Sequence, residues 1–255
     1  MIMAASNASD TPAWALVTGA RGGIGQQVVA RLRQRGCKVV AVGRQLDSLL
    51  AVPADAHVCA DTTTPEGAAD VMAQCLTQFG QVPTLLAHCV GSTCIAPLHR
   101  TQAAQVREVL RVNLEGAVFM LQAWVEALRQ SKQPGAAVLV SSVVAKVGVA
   151  NHEAIAAAKG GIEALVRSAA ATYAPMGLRI NAVAPGMTDT PMTAGMLKLD
   201  AMREGAGRQY PLGGIQTPEQ VADVMDWLLS DAACRITGQI IAVDGGFTTV
   251  RPLVK

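Results

Sequence analysis

The chain has 255 residues, of which 51% are hydrophobic and 16% are charged, and its formal net charge is +2. This composition is rich enough for a sheet buried on both faces, and it excludes an intrinsically disordered chain. There is no basic run and no basic stripe with aromatic neighbours, so nucleic acid is not an expected partner.

The beginning of the chain and the cysteines point to a cellular compartment. Residues 1–12 are short and polar, and no later run reaches about 18 uninterrupted apolar residues. We therefore expect a flexible N-terminus over residues 1–12, no signal peptide, no membrane association and a cytoplasmic location. Scattered cysteines without a C-x-x-C pair are typical of small buried side chains in a reducing compartment, and we predict no metal site. The six are Cys37, Cys59, Cys75, Cys89, Cys94 and Cys234.

Seven apolar runs have the length of β-strands, and most of the segments between them have helical periodicity. This alternation predicts repeated βα units, and therefore a parallel sheet with helices on both faces. We expect one α/β domain over residues 1–255, doubly wound in the Rossmann manner around a mostly parallel seven-stranded sheet. The predicted strands are residues 14–18, 38–42, 57–60, 84–89, 136–141, 179–183 and 239–243.

A glycine-rich turn follows the first predicted strand and leads directly into a helical run. It reads Thr-Gly-Ala-Arg-Gly-Gly-Ile-Gly over residues 18–25. Gly19 permits a tight turn, Gly23 lets the backbone approach a pyrophosphate, and Gly25 lets helix and strand pack closely. Amides at the helix N-terminus, around Ile24, then face the anion. The context predicts a dinucleotide site, and the alternative is a βα turn without a ligand.

The end of the second strand indicates which nicotinamide cofactor binds. An NAD enzyme typically offers a carboxylate to the ribose hydroxyls there, whereas an NADP enzyme offers a cation to the 2′-phosphate. This chain has Gly43 and Arg44 and no acid, and a guanidinium suits a phosphate. Arg21 in the glycine turn is a second candidate cation. NADP(H) is the predicted cofactor, and the alternative for both arginines is a solvated surface position.

The T-G-x-x-x-G-x-G spacing resembles that of the short-chain dehydrogenase/reductase family, and the resemblance covers nearly the whole chain. It implies that Asp61 contacts the adenine and that Asn113 bends a helix at the active site. The family's Asn-Asn-Ala-Gly reads His-Cys-Val-Gly here, with Gly91 retained. The resemblance assigns the nicotinamide half of the cofactor to the segment that starts at Asn181. The residues concerned are Pro185, Gly186, Thr188 and Thr190. The family's pattern near the end of the chain is also matched, by Gly238, Gln239, Asp244, Gly245 and Gly246.

The family's catalytic motif is present only in part. Its members have a serine that polarises the carbonyl, a tyrosine thirteen residues later that donates the proton, and a lysine four residues further. Ser142 and Lys159 match the serine and the lysine, but Ile155 stands at the tyrosine position. The resemblance therefore implies a site without its proton donor, and the chain's two tyrosines, Tyr173 and Tyr210, do not match the motif.

His152 is the candidate substitute for the missing donor. On a helix that begins near Asn151, His152, Ile155 and Lys159 share one face. An imidazole can donate a proton near neutral pH. In the alternative, Asn151 caps the helix, and His152 and Glu153 are ordinary polar residues of its first turn.

Two functions remain open at this point. The first is an NADP(H)-dependent oxidoreductase that reduces a carbonyl or oxidises an alcohol, related to the 3-oxoacyl thioester reductases that the pattern resembles. The second is a catalytically silent NADP(H)-binding subunit or sensor. Ser142 and Asn113 favour the first, and Ile155 favours the second.

Two further features bear on the substrate and on assembly. Residues 188–210 are Met-rich, interrupt the βα rhythm and contain several glycines and prolines, which favours a lid over the substrate; a plain surface excursion is the alternative. The predicted helix over residues 152–174 is dense in alanine and glycine, so helices can pack closely against it. We expect a homo-oligomer, and the resemblance implies a tetramer.

Overall fold

A computed structural model describes residues 12–252, so the predicted flexible N-terminus lies outside the described residues except for Pro12. Its seven strands form one sheet, ordered β3-β2-β1-β4-β5-β6-β7, in which every pairing is parallel. The predicted doubly wound, Rossmann-type α/β domain is confirmed. The strands are β1 (Trp14–Thr18), β2 (Lys38–Gly43), β3 (Ala56–Cys59), β4 (Leu85–His88), β5 (Gly135–Val140), β6 (Leu178–Pro185) and β7 (Ile240–Val243).

Eight α-helices connect and cover the described strands. Two of them begin with the side-chain caps that their sequences favour: Thr64 accepts the amide of Gly67, and Thr217 forms a capping box with Gln220. The helices are α1 (Gly23–Gln34), α2 (Leu46–Leu49), α3 (Pro65–Phe79), α4 (Ala103–Leu110), α5 (Gly116–Ser131), α6 (Glu153–Tyr173), α7 (Asp200–Gly207) and α8 (Pro218–Leu229).

The helices form a layer on each face of the sheet because successive strand side chains point to opposite faces. On β1, Leu16 packs into a core formed with α3, α5 and α6, whereas Ala15 and Val17 pack into a second core formed with α1 and α8. Trp124 of α5 is fully buried, and its indole N–H donates to the Pro83 carbonyl over 2.8 Å. The sheet is therefore buried on both faces, as the apolar strand sequences predict.

The strand ends lie within two residues of the predicted ends. The largest difference is in β6, which was predicted to end at residue 183 and continues to Pro185, paired in register with Val243 of β7. Proline lacks the N–H that would extend the ladder, so the strand stops there. This extension carries the end of β6 into the functional site.

The cysteines are less uniformly buried than predicted. All six are free, and Cys75 is buried in the core as expected. The prediction of burial is wrong for Cys59 and Cys234, which are exposed because one ends the edge strand β3 and the other follows a short 3₁₀ turn. Over residues 12–252, no His, Cys, Asp and Glu side chains cluster as a metal site would require. Nor does the described part of the chain contain a helix long and apolar enough to cross a membrane.

Candidate active site

A cavity of about 710 Å³ lies beyond the carboxyl ends of β4, β5 and β6, beside the glycine turn that follows β1. β1 and β4 are neighbours although β2 and β3 come between them in the chain, and open α/β sheets bind ligands at such a reversal of strand order. Gly19, Arg44 and Asp61 lie outside the lining. The predicted site residues that line the cavity are Arg21, Gly23, Ile24, Gly25, Gly91, Asn113, Ser142, His152, Lys159, Pro185, Gly186, Thr188 and Thr190.

Two glycines of the turn leave no room for a side chain. Gly19 has φ +65°, and a Cβ there would lie 2.8 Å from the backbone of Cys89. A Cβ on Gly25 would lie 2.3 Å from the Gly19 carbonyl oxygen. Gly22, which precedes α1, offers no side-chain cap, so the first amides of α1 are available to an anion. These features fit the pyrophosphate of a dinucleotide.

Asp61 lies beyond the end of β3 within a small polar network. Its carboxylate accepts hydrogen bonds from the Thr63 amide over 3.0 Å and from the Thr63 hydroxyl over 2.7 Å. Partial burial acts to raise the pKa of Asp61, but these bonds and the charges of Arg111 and Arg44 outweigh it and lower the pKa. The group is therefore an anionic acceptor, as the adenine-contacting role requires.

Arg44 and Arg21 lie at the same corner of the molecule. Arg44 is exposed and directly follows β2, and it forms no hydrogen bond or ion pair with any other residue in the range 12–252. Arg21 of the glycine turn reaches towards it, since its guanidinium donates to Gln45 Oε1 over 3.3 Å. Two guanidinium groups thus flank the loop after β2, where a 2′-phosphate is expected.

Asn113 lies where α4 changes into α5. The helix widens there into a π-type turn over Arg111–Glu115, a distortion that is frequent at functional sites. The buried Asn113 amide donates to the Val109 carbonyl over 2.9 Å and to Ser92 Oγ over 3.1 Å. Its carbonyl oxygen accepts the Ser92 amide over 3.2 Å. Asn113 therefore joins the irregular helix to the segment that follows β4.

Ser142 and Lys159 face the same cavity from two different elements. Ser142 lies two residues beyond the end of β5, and its hydroxyl oxygen accepts a hydrogen bond from the Val144 amide over 3.4 Å. Lys159 of α6 is 6% exposed, and its ammonium group donates to the Val140 carbonyl over 2.8 Å. Burial lowers the pKa of Lys159 to about 8, partly offset by the nearby Cys89. The charge on Lys159 is therefore lost as the pH rises through about 8.

Ile155 occupies the position between these two residues. It lines the cavity with Ser142 and Lys159, yet it is only 5% exposed and packs against Val109 and Ala158. A hydrocarbon side chain can neither donate nor accept a proton. Any proton transfer in this cavity must use another group.

His152 also lines the cavity, but it lies immediately before α6 instead of within its first turn. The alternative in which Asn151 caps the helix is wrong. Asn151 has φ +65°, in the left-handed region, and α6 begins at Glu153 with His152 at the N-cap position and no side-chain cap bond. The His152 ring is fixed by Nδ1, which lies 2.7 Å from the Ala150 carbonyl oxygen. Its other ring nitrogen, Nε2, is left for a ligand.

Tyr210 is the last residue of the predicted lid segment, and the structure gives it a role that the sequence does not indicate. Its hydroxyl accepts the Met187 amide over 2.6 Å, and the residue lines the cavity at 9% exposed. A Cβ on Gly186 would lie 2.7 Å from the Tyr210 ring, and the buried Thr188 donates to the Gly186 carbonyl over 3.0 Å. Burial raises the pKa of Tyr210. Tyr210 thus supports the backbone beyond Pro185. Its contact with Met187 spans 23 residues of sequence, and no local pattern predicts it.

His88 was noted only as a departure from the family pattern. It is 2% exposed at the end of β4, and its Nδ1 lies 2.9 Å from the Thr18 hydroxyl. Burial and the charge of Lys159 lower the pKa of His88 to about 3. The ring is therefore neutral, and Lys159 has no second cation at this position.

The predicted lid segment, residues 188–210, covers one side of the cavity and contains α7. A Cβ on Gly23 would lie 2.8 Å from the Thr190 side chain, so the segment touches the glycine turn. An ion pair of 2.6 Å between Asp189 and Arg203 ties its beginning to α7. The cavity residues that it supplies beyond Thr190 are Pro191, Met192, Thr193, Met196, Ala206, Gln209 and Tyr210.

Comparison with known proteins gives consistent matches over almost the whole chain. Residues 19–248 match the family model described as enoyl-(acyl carrier protein) reductase. The chain is 40% identical over 245 residues to cis-4-hydroxycyclohexanecarboxylate dehydrogenase of Sinomonas cyclohexanicum, covering 92% of this chain and 96% of that protein. It is 34% identical over 240 residues to 3-oxoacyl-[acyl-carrier-protein] reductase of Thermotoga maritima, covering 91% and 96%. The ligand-free aldohexose dehydrogenase of Thermoplasma acidophilum has a TM-score of 0.88 at 26% identity, covering 96% and 97%.

Proposed function

Because the chain belongs to the short-chain dehydrogenase/reductase family, we propose that it is an NADP(H)-dependent oxidoreductase that interconverts a small carbonyl compound and its alcohol. The observation that carries this proposal is one cavity lined by the glycine turn, Ser142, Lys159 and Asn113. A protein that only binds nucleotide has less need of Ser142 and Asn113. The relatives of the chain are dehydrogenases and reductases that act on alcohols and carbonyl compounds.

The side chains divide the chemistry among them. NADP(H), when bound, supplies or accepts the hydride. The Ser142 hydroxyl accepts a backbone amide, so its own proton is available to polarise a substrate carbonyl oxygen. Lys159 keeps two ammonium protons beyond the one it gives Val140, and these suit the hydroxyls of a nicotinamide ribose. Pro185, Gly186, Thr188 and Thr190 bound the same cavity and are proposed to hold the nicotinamide half.

His152 is the proposed proton donor in place of the missing tyrosine. It is the histidine that lines the cavity among the described residues, and one of its ring nitrogens is held by the backbone while the other is available. The second candidate function, a catalytically silent NADP(H)-binding subunit or sensor, is favoured by Ile155 alone. Catalysis by His152 separates the two functions.

The cavity also suggests which substrates to assay first. Much of its lining is apolar, with Ile95, Val149, Met196 and Phe247 among the lining residues. The relative from Sinomonas cyclohexanicum is named for a hydroxylated cyclohexane ring. We propose that a ring-sized secondary alcohol or its ketone binds here, under a lid segment that moves to admit it. NADPH oxidation with cyclohexanones, quinones and 3-oxoacyl thioesters tests the proposal, and direct NADPH binding without any turnover would contradict it.

NADPH is expected to bind more tightly than NADH, and Arg44→Ala is expected to remove most of that preference. A charge-assisted hydrogen bond to a phosphate contributes about 1.5–3 kcal/mol, which corresponds to roughly a 10- to 100-fold loss of NADPH affinity. NADH affinity should change little because NADH lacks the 2′-phosphate. Titration of both cofactors by fluorescence measures the two dissociation constants.

The matched control is Arg235→Ala, which removes an exposed arginine before β7, at the opposite edge of the sheet. It should leave both affinities unchanged. Equal wild-type affinities for NADPH and NADH, or an unchanged preference in Arg44→Ala, would contradict the assignment.

We also propose that the chain forms a homotetramer. The outward side of α6 carries small residues at helical spacing, including Ala157, Gly160, Ala164 and Ala171, and a Cβ on Gly160 would meet no atom within 4 Å. Two such helices can pack closely. Light scattering should give four times the chain mass of 26.4 kDa. Ala164→Arg should lower that mass, and a wild-type monomer would refute the proposal.

A further inference from the structure

The backbone before α6 is unusual at one residue. Asn151 has φ +65°, and among the described residues only Lys132 shares a positive φ without being glycine. Asparagine tolerates this region better than most residues, but the conformation still stores strain. Strained backbone persists where its surroundings impose it, often beside a functional group.

The left-handed conformation directs two successive carbonyl groups to different partners. The Asn151 carbonyl oxygen accepts the Ala96 amide over 2.9 Å, which ties this turn to the segment after β4. The Ala150 carbonyl oxygen lies 2.7 Å from His152 Nδ1. Ile95 and Val149, adjacent to these bonded residues, line the cavity with His152. The turn is therefore built into the wall of the site.

The contact with Ala150 determines the protonation of the ring. A carbonyl oxygen can only accept a hydrogen bond, so Nδ1 must carry a proton. In neutral His152 that is the ring's single N–H, and Nε2 then carries a lone pair. Nε2 carries a proton only in the imidazolium form.

We infer that Asn151 is a positioning residue: its left-handed backbone holds the Ala150 carbonyl on Nδ1 and thereby makes Nε2 of His152 the atom that exchanges a proton with the substrate. This inference rests on the proposed function. In alcohol oxidation the hydroxyl proton passes to Nε2 as the C=O bond forms, and NADP⁺, when bound, would take the carbinol hydrogen as hydride. In reduction the imidazolium Nε2–H returns the proton to the oxygen, and NADPH, when bound, would supply the hydride to the carbon.

The two directions therefore have opposite pH dependences. Oxidation requires neutral His152 and rises with pH, whereas reduction requires the imidazolium and falls as the pH rises. The other ionisable side chains on the cavity come from the glycine turn, the end of β4, α6 and the lid segment, and Glu153 follows His152 at an exposed position. Those on the cavity are Arg21, Cys89, Lys159 and Tyr210.

Three substitutions test the inference. Asn151→Gly still allows the left-handed backbone conformation at residue 151. Asn151→Val strongly disfavours that conformation, because valine is β-branched. Lys132→Val places the same residue in the other left-handed position, at the exposed end of α5, and measures the effect of strain alone. Asn151→Val should lower kcat roughly tenfold in both directions, because small displacements of a catalytic group are costly. The other two variants should retain wild-type kcat.

The second readout is the tautomer of His152, observed by NMR of ¹⁵N-histidine-labelled protein at alkaline pH. Wild type and Asn151→Gly should show the Nδ1–H form, and Asn151→Val should show a mixture. An Nε2–H form in the wild type, or an Asn151→Val variant that matches Lys132→Val in tautomer and kcat, would overturn the inference. One further outcome separates the inference from the proposed function. If Asn151→Val disturbs the Nδ1–H tautomer but His152→Ala leaves kcat unchanged, Asn151 positions the ring, and His152 is not the proton donor.

Discussion

His152→Ala is expected to lower kcat for carbonyl reduction by roughly 10²–10⁴-fold, the range that a positioned general acid contributes. This corresponds to about 3–5 kcal/mol of barrier. NADPH affinity should be almost unchanged, because the glycine turn, Arg44 and Lys159 are intact. A fall in kcat with little change in cofactor binding identifies a group that acts in the transition state. Stopped-flow measurement of NADPH oxidation, beside a fluorescence titration of NADPH, gives both quantities.

The control for this variant is His99→Ala, which removes an exposed histidine from the short 3₁₀ helix after β4. It should retain wild-type kcat. The pH profile adds a second check, since the decline of reduction below pH 8, where Lys159 is still charged, should disappear in His152→Ala. If the wild type is active and His152→Ala changes neither kcat nor the profile, the donor is a water molecule or the substrate itself.

The fold could be predicted from the sequence because its signals are local and repeated. Each strand is a short apolar run, and the glycine turn lies between a strand and a helix, where its steric demands are satisfied. The strand ends were less well predicted, as β6 shows, because the last ladder bonds depend on a neighbouring strand. The prediction that Cys59 is buried was wrong for a related reason, because the sequence does not show that β3 is an edge strand.

The site was predictable where the family resemblance supplies a motif, and less so where distant segments meet. The resemblance placed Ser142, Lys159 and Asn113, and the structure brings them to one cavity. Tyr210 was missed because its contact with Met187 exists only after the lid segment folds back. The alternative that Asn151 caps α6 was wrong for a physical reason. Asparagine is favoured both at the N-cap of a helix and in a left-handed turn just before one, so the sequence does not distinguish the two. Only the observed φ of +65° separates the two.

Ile155→Tyr, made in the His152→Ala background, is expected to raise carbonyl reduction by roughly 10²–10⁴-fold. Ile155 already lines the cavity beside Ser142 and Lys159, so a hydroxyl introduced at this position reaches the place where the family's donor acts. Lys159 is charged below its pKa of about 8, and a nearby cation lowers the pKa of a phenol. NADPH oxidation by both variants, measured below pH 8, compares the rates.

The tyrosine side chain is larger than that of Ile155 and is expected to lower the stability of the fold. A control variant must separate this loss of stability from the effect of the hydroxyl. Ile155 is 5% exposed and packs against Val109 and Ala158, and overpacking of such a position typically costs 1–3 kcal/mol of stability. Ile155→Phe, in the same background, introduces the ring without the hydroxyl and should share that cost. A gain seen with tyrosine and absent with phenylalanine, at equal melting temperatures, therefore reports the proton donor.

The wild type and the single variant Ile155→Tyr decide between the two function classes. An oxidoreductase that lacks only its tyrosine needs nothing but the hydroxyl, because Ser142, Lys159 and the glycine turn already surround the position. If neither the wild type nor Ile155→Tyr reduces any carbonyl while NADPH still binds, the cavity has lost more than its acid. The chain would then be an NADP(H)-binding subunit or sensor, and replacement of Ser142 by alanine would leave NADPH affinity unchanged.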